Sequence, residues 1–151
     1  MARAITVCVA GGFDGIHPGH IGHLRDAKAL AGKRGRLVVI LNPDPDMIRK
    51  KGWLFQSYKE RKCILEAIRF VDVVVPAIDG DGTVAETLRR LHPTIFAKGG
   101  DRVPENMPEN EIAVCDEIGC QIIYGVGGSK THSSSELVKR AANHLEEIRP
   151  K

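Results

Sequence analysis

Residues 4–20 read AITVCVAGGFDGIHPGH: a β-branched and apolar run, then ten positions holding four glycines, one proline, one Asp and two His. The first part predicts a buried strand over 4–10, because a short apolar run rich in Val and Ile and closed by glycine is the pattern of one. A helix starts within the second part. Pro18 suits a first helical position, Ile21, Leu24, Ala27 and Ala31 fall on one helical face, and Gly32 suits the stop. The glycine-rich turn between them is where an α/β chain binds ligands.

The same alternation continues outward. Further strands are predicted at RLVVIL (36–41), VDVVVP (71–76), TIFAK (94–98) and QIIYG (121–125). Capping-box pairs Ser57/Glu60, Thr83/Glu86 and Ser133/Glu136 open helices near 58–69, 84–91 and 134–148, and another helix is expected over about 108–118, with Ile112, Val114 and Ile118 as its apolar contacts. Strands separated by helices predict a doubly wound parallel α/β sheet, here of five strands. Its ligand would lie at the C-terminal strand ends, which selects the loops 11–17, 42–53, 99–107 and 125–133.

At 151 residues the chain is expected to be a single domain, 1–151, with room for a sizeable core and one pocket. A net charge of +3 is too small to suggest nucleic-acid binding, and a small anion fits it better. The four cysteines, 8, 63, 115 and 120, show no C-x-x-C spacing and are expected to be reduced, mostly buried thiols of a cytoplasmic protein. No apolar run approaches the ~20 residues of a membrane span, so no membrane partner is expected.

In HPGH, His17 and His20 straddle the helix start, where unpaired N–H groups and the positive dipole end attract an anion. With Gly11 and Gly12 allowing close backbone approach, the stretch reads as a phosphate cradle with two imidazole donors. His23 continues the i+3 series and raises a three-His metal site as the alternative, but positions 17, 20 and 23 drift around the helix and no fourth ligand is evident. No protein-bound metal is therefore expected, and His23 is read as surface. Three more groups fall in the selected loops: Lys50 and Lys51; Lys98, Gly99, Gly100 and Asp101 in KGGD; and Ser133, Ser134 and Ser135, whose hydroxyls and N–H groups open the last helix.

GGFDGIHPGH resembles the G-x-F-D-x-x-H-x-G-H signature of the cytidylyltransferase-like nucleotidyltransferases. The likeness runs along nearly the whole chain. SYKERKCILEAIRFVDVVVP (57–76) is similar to glycerol-3-phosphate cytidylyltransferases, whereas PTIFAKGGDR (93–102) and the spacing beyond it look more like the adenylyltransferase modules that make ADP-heptose. The resemblance implies a Rossmann-like sheet in the order 3-2-1-4-5. It also implies transfer of a nucleoside monophosphate from an NTP, ATP before CTP, to a sugar or polyol phosphate, with Mg²⁺ carried in on the NTP.

On that resemblance, His17 and His20 stabilise charge at the reacting phosphate, Lys50 faces a phosphate, and Lys51 and Arg61 serve the substrate. Gly11, Gly12 and Phe13 give backbone donors, Asp14 shapes the turn, and the nucleoside lies on Lys98 to Asp101. A homodimer is compatible with this reading. The chain departs from the family pattern at Gly12, where the commonest signature has Thr. It also lacks an Arg before the last helix, having only Lys130 there, which counts against glycerol 3-phosphate as acceptor; His132 has no role in the pattern. A nucleotide-binding module without catalysis would not need the His pair, and a redox dinucleotide domain would want G-x-G-x-x-G, which Gly11, Gly12, Gly15 and Gly19 do not make.

Overall fold

The computed structural model describes residues 3–129 and 132–150. The strands are β1 (Thr6–Gly11), β2 (Arg36–Leu41), β3 (Val73–Pro76), β4 (Ile95–Ala97) and β5 (Gln121–Ile123). The helices are α1 (Pro18–Ala31), α2 (Asp44–Lys51), α3 (Tyr58–Glu66), α4 (Ala85–Leu91), α5 (Glu109–Ile118) and α6 (Ser134–Glu147). All strand pairs are parallel, in the order β3-β2-β1-β4-β5. The expected α/β architecture and strand order are therefore both present.

The period-2 alternation of the strands divides the core into two layers. Val7, Val9, Leu37, Val39 and Leu41 point to the side covered by Leu24, Ala27 and Ala31 of α1 and Leu65 of α3. Cys8, Val38, Ile40 and Phe96 point to the other, against Ala85 and Leu88 of α4 and Val114 and Cys115 of α5. A fully buried Leu such as Leu24 or Leu88 contributes roughly 1.5–3 kcal/mol. Cys8, Cys115 and Cys120 are buried thiols; Cys63 is exposed. Among the described residues no helix is long and apolar enough to cross a membrane.

Two local expectations are corrected. Residues 42–53, expected as a loop, hold α2. Its two prolines obscure it in the sequence, yet Pro43 is its cap and Pro45 sits in its first turn, where the missing N–H costs nothing. Asp44 and Asp46 at its start and Arg49, Lys50 and Lys51 at its end match the dipole, and Gly52 closes it at φ 78°. Thr83 does not cap α4. The Asp79 carboxylate takes the Glu86 and Thr87 N–H groups at 2.6 and 3.2 Å, and Glu111 takes that of Val84 at 3.2 Å. A carboxylate from outside the helix outcompetes the local hydroxyl. The Ser57/Glu60 box is reciprocal, and Ser133 Oγ caps α6 by accepting the Glu136 N–H.

Candidate active site

The strand order reverses between β1 and β4, and a cavity of about 420 Å³ opens there. One wall is the β1–α1 turn, including Gly11, Gly12 and Phe13; the opposite wall is Lys98 to Arg102; Val126 to Ser129 and the first turn of α6 complete it. Phe13 is buried and held at φ 48°, a left-handed conformation costly for an aromatic residue, so the turn is over-determined by its surroundings.

Those surroundings are a buried polar scaffold. Asp14, 2% exposed, spends both carboxylate oxygens on the Phe55 and Gln56 N–H groups, at 2.9 and 2.7 Å. Arg61 is wholly buried. Its Nη1 donates to the carbonyls of Gly12 and Asn42 at 2.9 and 2.8 Å, its Nε to that of Gln56 at 3.0 Å, and its Nη2 to Asp44 Oδ1 at 2.7 Å. Arg61 thus ties the β1 turn, the end of β2 and α2 together from below, and neither Asp14 nor Arg61 lines the cavity. Gly12 packs against the Met47 thioether of α2: a Cβ there would come within 2.5 Å of its sulfur and terminal methyl, so a larger residue at this position would displace that flexible side chain.

His17 caps α1. Its Nδ1 accepts the Gly19 N–H at 3.1 Å, and His20 Nδ1 accepts the His17 N–H at 3.3 Å. An Nδ1 that accepts is unprotonated, so each neutral ring carries its proton on Nε2 as a donor. Burial, with His17, His23 and Lys51 nearby, lowers the His20 pKa to about 3. His20 is therefore a neutral donor at physiological pH. The rings form a file: Phe13 to His20 at 5.1 Å, His20 stacked on His17 at 3.8 Å, and His17 stacked on His132 at 5.6 Å. His132, which the sequence left without a role, extends the wall that HPGH begins; Lys130 lies outside the described residues.

His23 is not on the surface. It lines the cavity, its Nδ1 donates to the Val126 carbonyl at 2.7 Å, and burial lowers its pKa. A Cβ on Gly99 would stand 2.7 Å from His23 Nδ1 and one on Gly127 2.6 Å from His23 Cα, so both glycine loops close directly onto this residue. Among the described residues no group of three His, Cys, Asp or Glu could hold a metal ion.

Of the lysine pair, Lys51 lines the cavity; Lys50 does not, and lies within reach of Gly82. Lys98 reaches the cavity from the end of β4 over the Phe96 ring, at 4.6 Å. Burial brings its pKa down to about 8, against the opposing pull of buried Glu111. Gly99, Gly100 and Asp101 lie beside it, with Gly100 at φ 62°. Ser133, Ser134 and Ser135 all line the cavity, and Ser134 Oγ donates to the Gly15 carbonyl at 2.9 Å. The loops 99–107 and 125–133 were selected from the sequence, but Arg102, His132 and the individual residues 126–129 were given no role, and His23 was read as surface. The i+3 spacing of His23 and the position of His132 beside the Ser run were the available signals.

Residues 8–141 match the cytidylyltransferase-like family model. The chain is 37% identical over 145 residues to the bifunctional protein HldE of Nitrosococcus oceani, covering 93% of this chain and 30% of that protein. It is 35% identical over 138 residues to the HldE of Rhodopseudomonas palustris strain BisB18, covering 88% and 26%. The chain thus spans under a third of the length of these relatives. A solved lipopolysaccharide core biosynthesis protein from Thermoplasma volcanium shares the fold, with a TM-score of 0.64 at 23% identity over 86% of this chain and 98% of that one. With its HPGH turn at the switch point of a 3-2-1-4-5 sheet and the family model matched over 8–141, the chain belongs to the cytidylyltransferase-like nucleotidyltransferases.

Proposed function

We propose that this chain transfers AMP from ATP to the phosphate of a sugar or polyol phosphate, heptose 1-phosphate being the leading acceptor, and releases pyrophosphate. The observation that carries this reading is the convergence on one cavity of two imidazoles with Nε2 donors, Lys51, Lys98 and the first turn of α6. The HldE relatives and the KGGD stretch favour ATP and a heptose phosphate over CTP and glycerol 3-phosphate.

An acceptor phosphate is already an anion near neutral pH and needs no general base. Its oxygen attacks the α-phosphorus, the Pα–O bond to the β-phosphate breaks, and pyrophosphate leaves with the bonding electrons. The protein's task is alignment and charge stabilisation. His17 and His20 donate from Nε2 to the oxygens whose charge grows, as an oxyanion hole does. Lys51 and Lys98 supply positive charge, and the N–H groups of Ser134 and Ser135 take the triphosphate tail. Among the described residues exposed Asp101 is the one carboxylate lining the cavity, so Mg²⁺ would arrive on the triphosphate with most of its waters.

Pyrophosphate release, measured with each of four NTPs against a panel of sugar and polyol phosphates, tests this. ATP with a heptose phosphate should be fastest, chelator should stop the reaction, and Mg²⁺ should restore it. Release with no pair, or equally with all acceptors, would sink the assignment. Gly100→Val should weaken ATP binding at least tenfold, about 1.4 kcal/mol, with acceptor binding kept. Unchanged ATP affinity in the folded variant would move the nucleoside away from this loop.

A further inference from the structure

One buried carboxylate belongs neither to the cavity lining nor to the scaffold of Asp14 and Arg61. Glu111, in the first turn of α5, is 5% exposed and stands one helical turn before Val114 and Cys115, which pack in the layer between α4, α5 and the sheet. Its Oε2 accepts the Val84 N–H at 3.2 Å. A neutral amide would serve that N–H as well, so the hydrogen bond does not explain the charge. A buried carboxylate is costly unless a cation answers it. Lys50 at the end of α2 and Arg102, whose Nη1 donates to the Asn106 carbonyl at 3.1 Å, face Glu111 but are exposed; half-buried Lys98 acts on it more strongly than either.

Lys98 needs such a partner. Its ammonium lines the cavity above the Phe96 ring and has no hydrogen-bond acceptor or ion-pair partner among the described residues. Burial, Arg102 and Lys50 all disfavour its charged form, whereas Glu111 and, less strongly, Cys115 favour it. His23 also faces it, with its own pKa lowered chiefly by burial. Lys98 lines the cavity and Glu111 does not, so the carboxylate acts on the lysine from behind the wall. We propose that Glu111 is a positioning residue of the phosphate site, its carboxylate supplying the counter-charge that holds the Lys98 ammonium at the cavity. The lysine makes the contact with phosphate, and the glutamate sets the charge it brings. The phosphate role rests on the proposed nucleotidyl transfer; the coupling of the two side chains does not.

The Cε carbon resonance of Lys98 in isotopically labelled, nucleotide-free protein, identified by its loss in Lys98→Gln, reads the coupling directly. It should titrate at about pH 8 in the wild type. In Glu111→Gln, which keeps an acceptor for Val84 but not the charge, the midpoint should fall by about one pH unit. Lys98→Gln should reciprocally raise the titration of the Glu111 carboxyl, a measurement that stands even where Glu111→Gln does not fold. An unmoved Lys98 midpoint in folded Glu111→Gln overturns the inference, and so does an unmoved Glu111 midpoint in Lys98→Gln. With ATP as substrate, Glu111→Gln should raise KM several-fold at about pH 8 but not at about pH 6, where Lys98 is charged in both proteins, with kcat at saturation little changed. An equal rise at both pH values would make Glu111 a structural cap of α4 only and overturn the inference as well. The titrations need no nucleotide, so a failure of the coupling and a failure of the proposed activity are told apart.

Discussion

Two helices aim their N-termini at the same cavity, and they are finished differently. At α1 every first-turn N–H is used: Gly19 donates to His17 Nδ1 at 3.1 Å, and His20 and Ile21 to the His17 carbonyl at 3.0 and 3.3 Å. The expectation that unpaired N–H groups there hold an anion is therefore corrected: Pro18 has no N–H, the His17 ring and carbonyl take the next three, and the imidazoles offer Nε2 donors in their place. At α6 the Glu136 and Leu137 N–H groups go to Ser133 Oγ and its carbonyl, at 3.4 and 3.2 Å, while those of Ser134 and Ser135 have no acceptor among the described residues. One terminus presents side chains locked by their own backbone; the other presents backbone. The first suits charge that appears in the transition state, the second charge that is already there in the bound triphosphate.

The sharpest way to break this contrast is at the imidazoles. His17→Ala and His20→Ala should each lower kcat at least ~10²-fold, about 2.7 kcal/mol of transition-state stabilisation, with ATP affinity much less affected. A double variant turning over near the wild-type rate would remove the contrast. His20 stays neutral above about pH 3, so its titration should contribute no acid limb to the rate between pH 5 and 7. A limb at those values that disappears in His20→Gln would show that a charged imidazole is needed.

A smaller effect is expected from Gly19→Ala. A Cβ there would lie 2.9 Å from His17 Cε1, so it should displace the ring and lower kcat about tenfold. The same change adds helix propensity worth up to about 1 kcal/mol, so thermal stability should hold or rise while activity falls. Parallel losses of both would point to a simple packing defect.

At α6 the comparison is between Ser134→Ala and Ser134→Pro. Both lose the Oγ bond to Gly15, but only Pro also deletes the N–H, at a first helical position that tolerates it. Calorimetry should show the Pro variant binding ATP about tenfold more weakly than the Ala variant, with kcat at saturation similar. Equal affinities would mean that this terminus holds no phosphate.

The mildest expectation concerns Lys98. Its pKa of about 8 leaves it charged below that pH and neutral above it, so ATP affinity should fall several-fold as pH rises through 8. Bound phosphate favours the charged form and should carry the transition upward. Lys98→Gln should flatten the profile, and an unaltered slope in that variant would assign the titration to another group.

Much of this was legible in the chain. Strand and helix periods, the Ser57 cap and Gly32 predict the layers, and HPGH after the first strand marks the switch point, because these signals are local and fixed by backbone geometry. Other features became visible only when distant segments met. Arg61 serves Gly12 from beneath through contacts made between residues 49 positions apart, so no local pattern shows it. His23 was read as surface because its partner, the Val126 carbonyl, lies 103 residues on. Lys50 and Lys51 are neighbours in sequence, yet a 100° step around α2 brings only Lys51 to the cavity. The sequence by itself determined the strands, every helix but α2, their order along the chain and the two imidazoles. Tertiary structure decided which side chains face the cavity and which hold it up, because long-range contacts and burial, unlike periodicity, are properties of the folded chain alone.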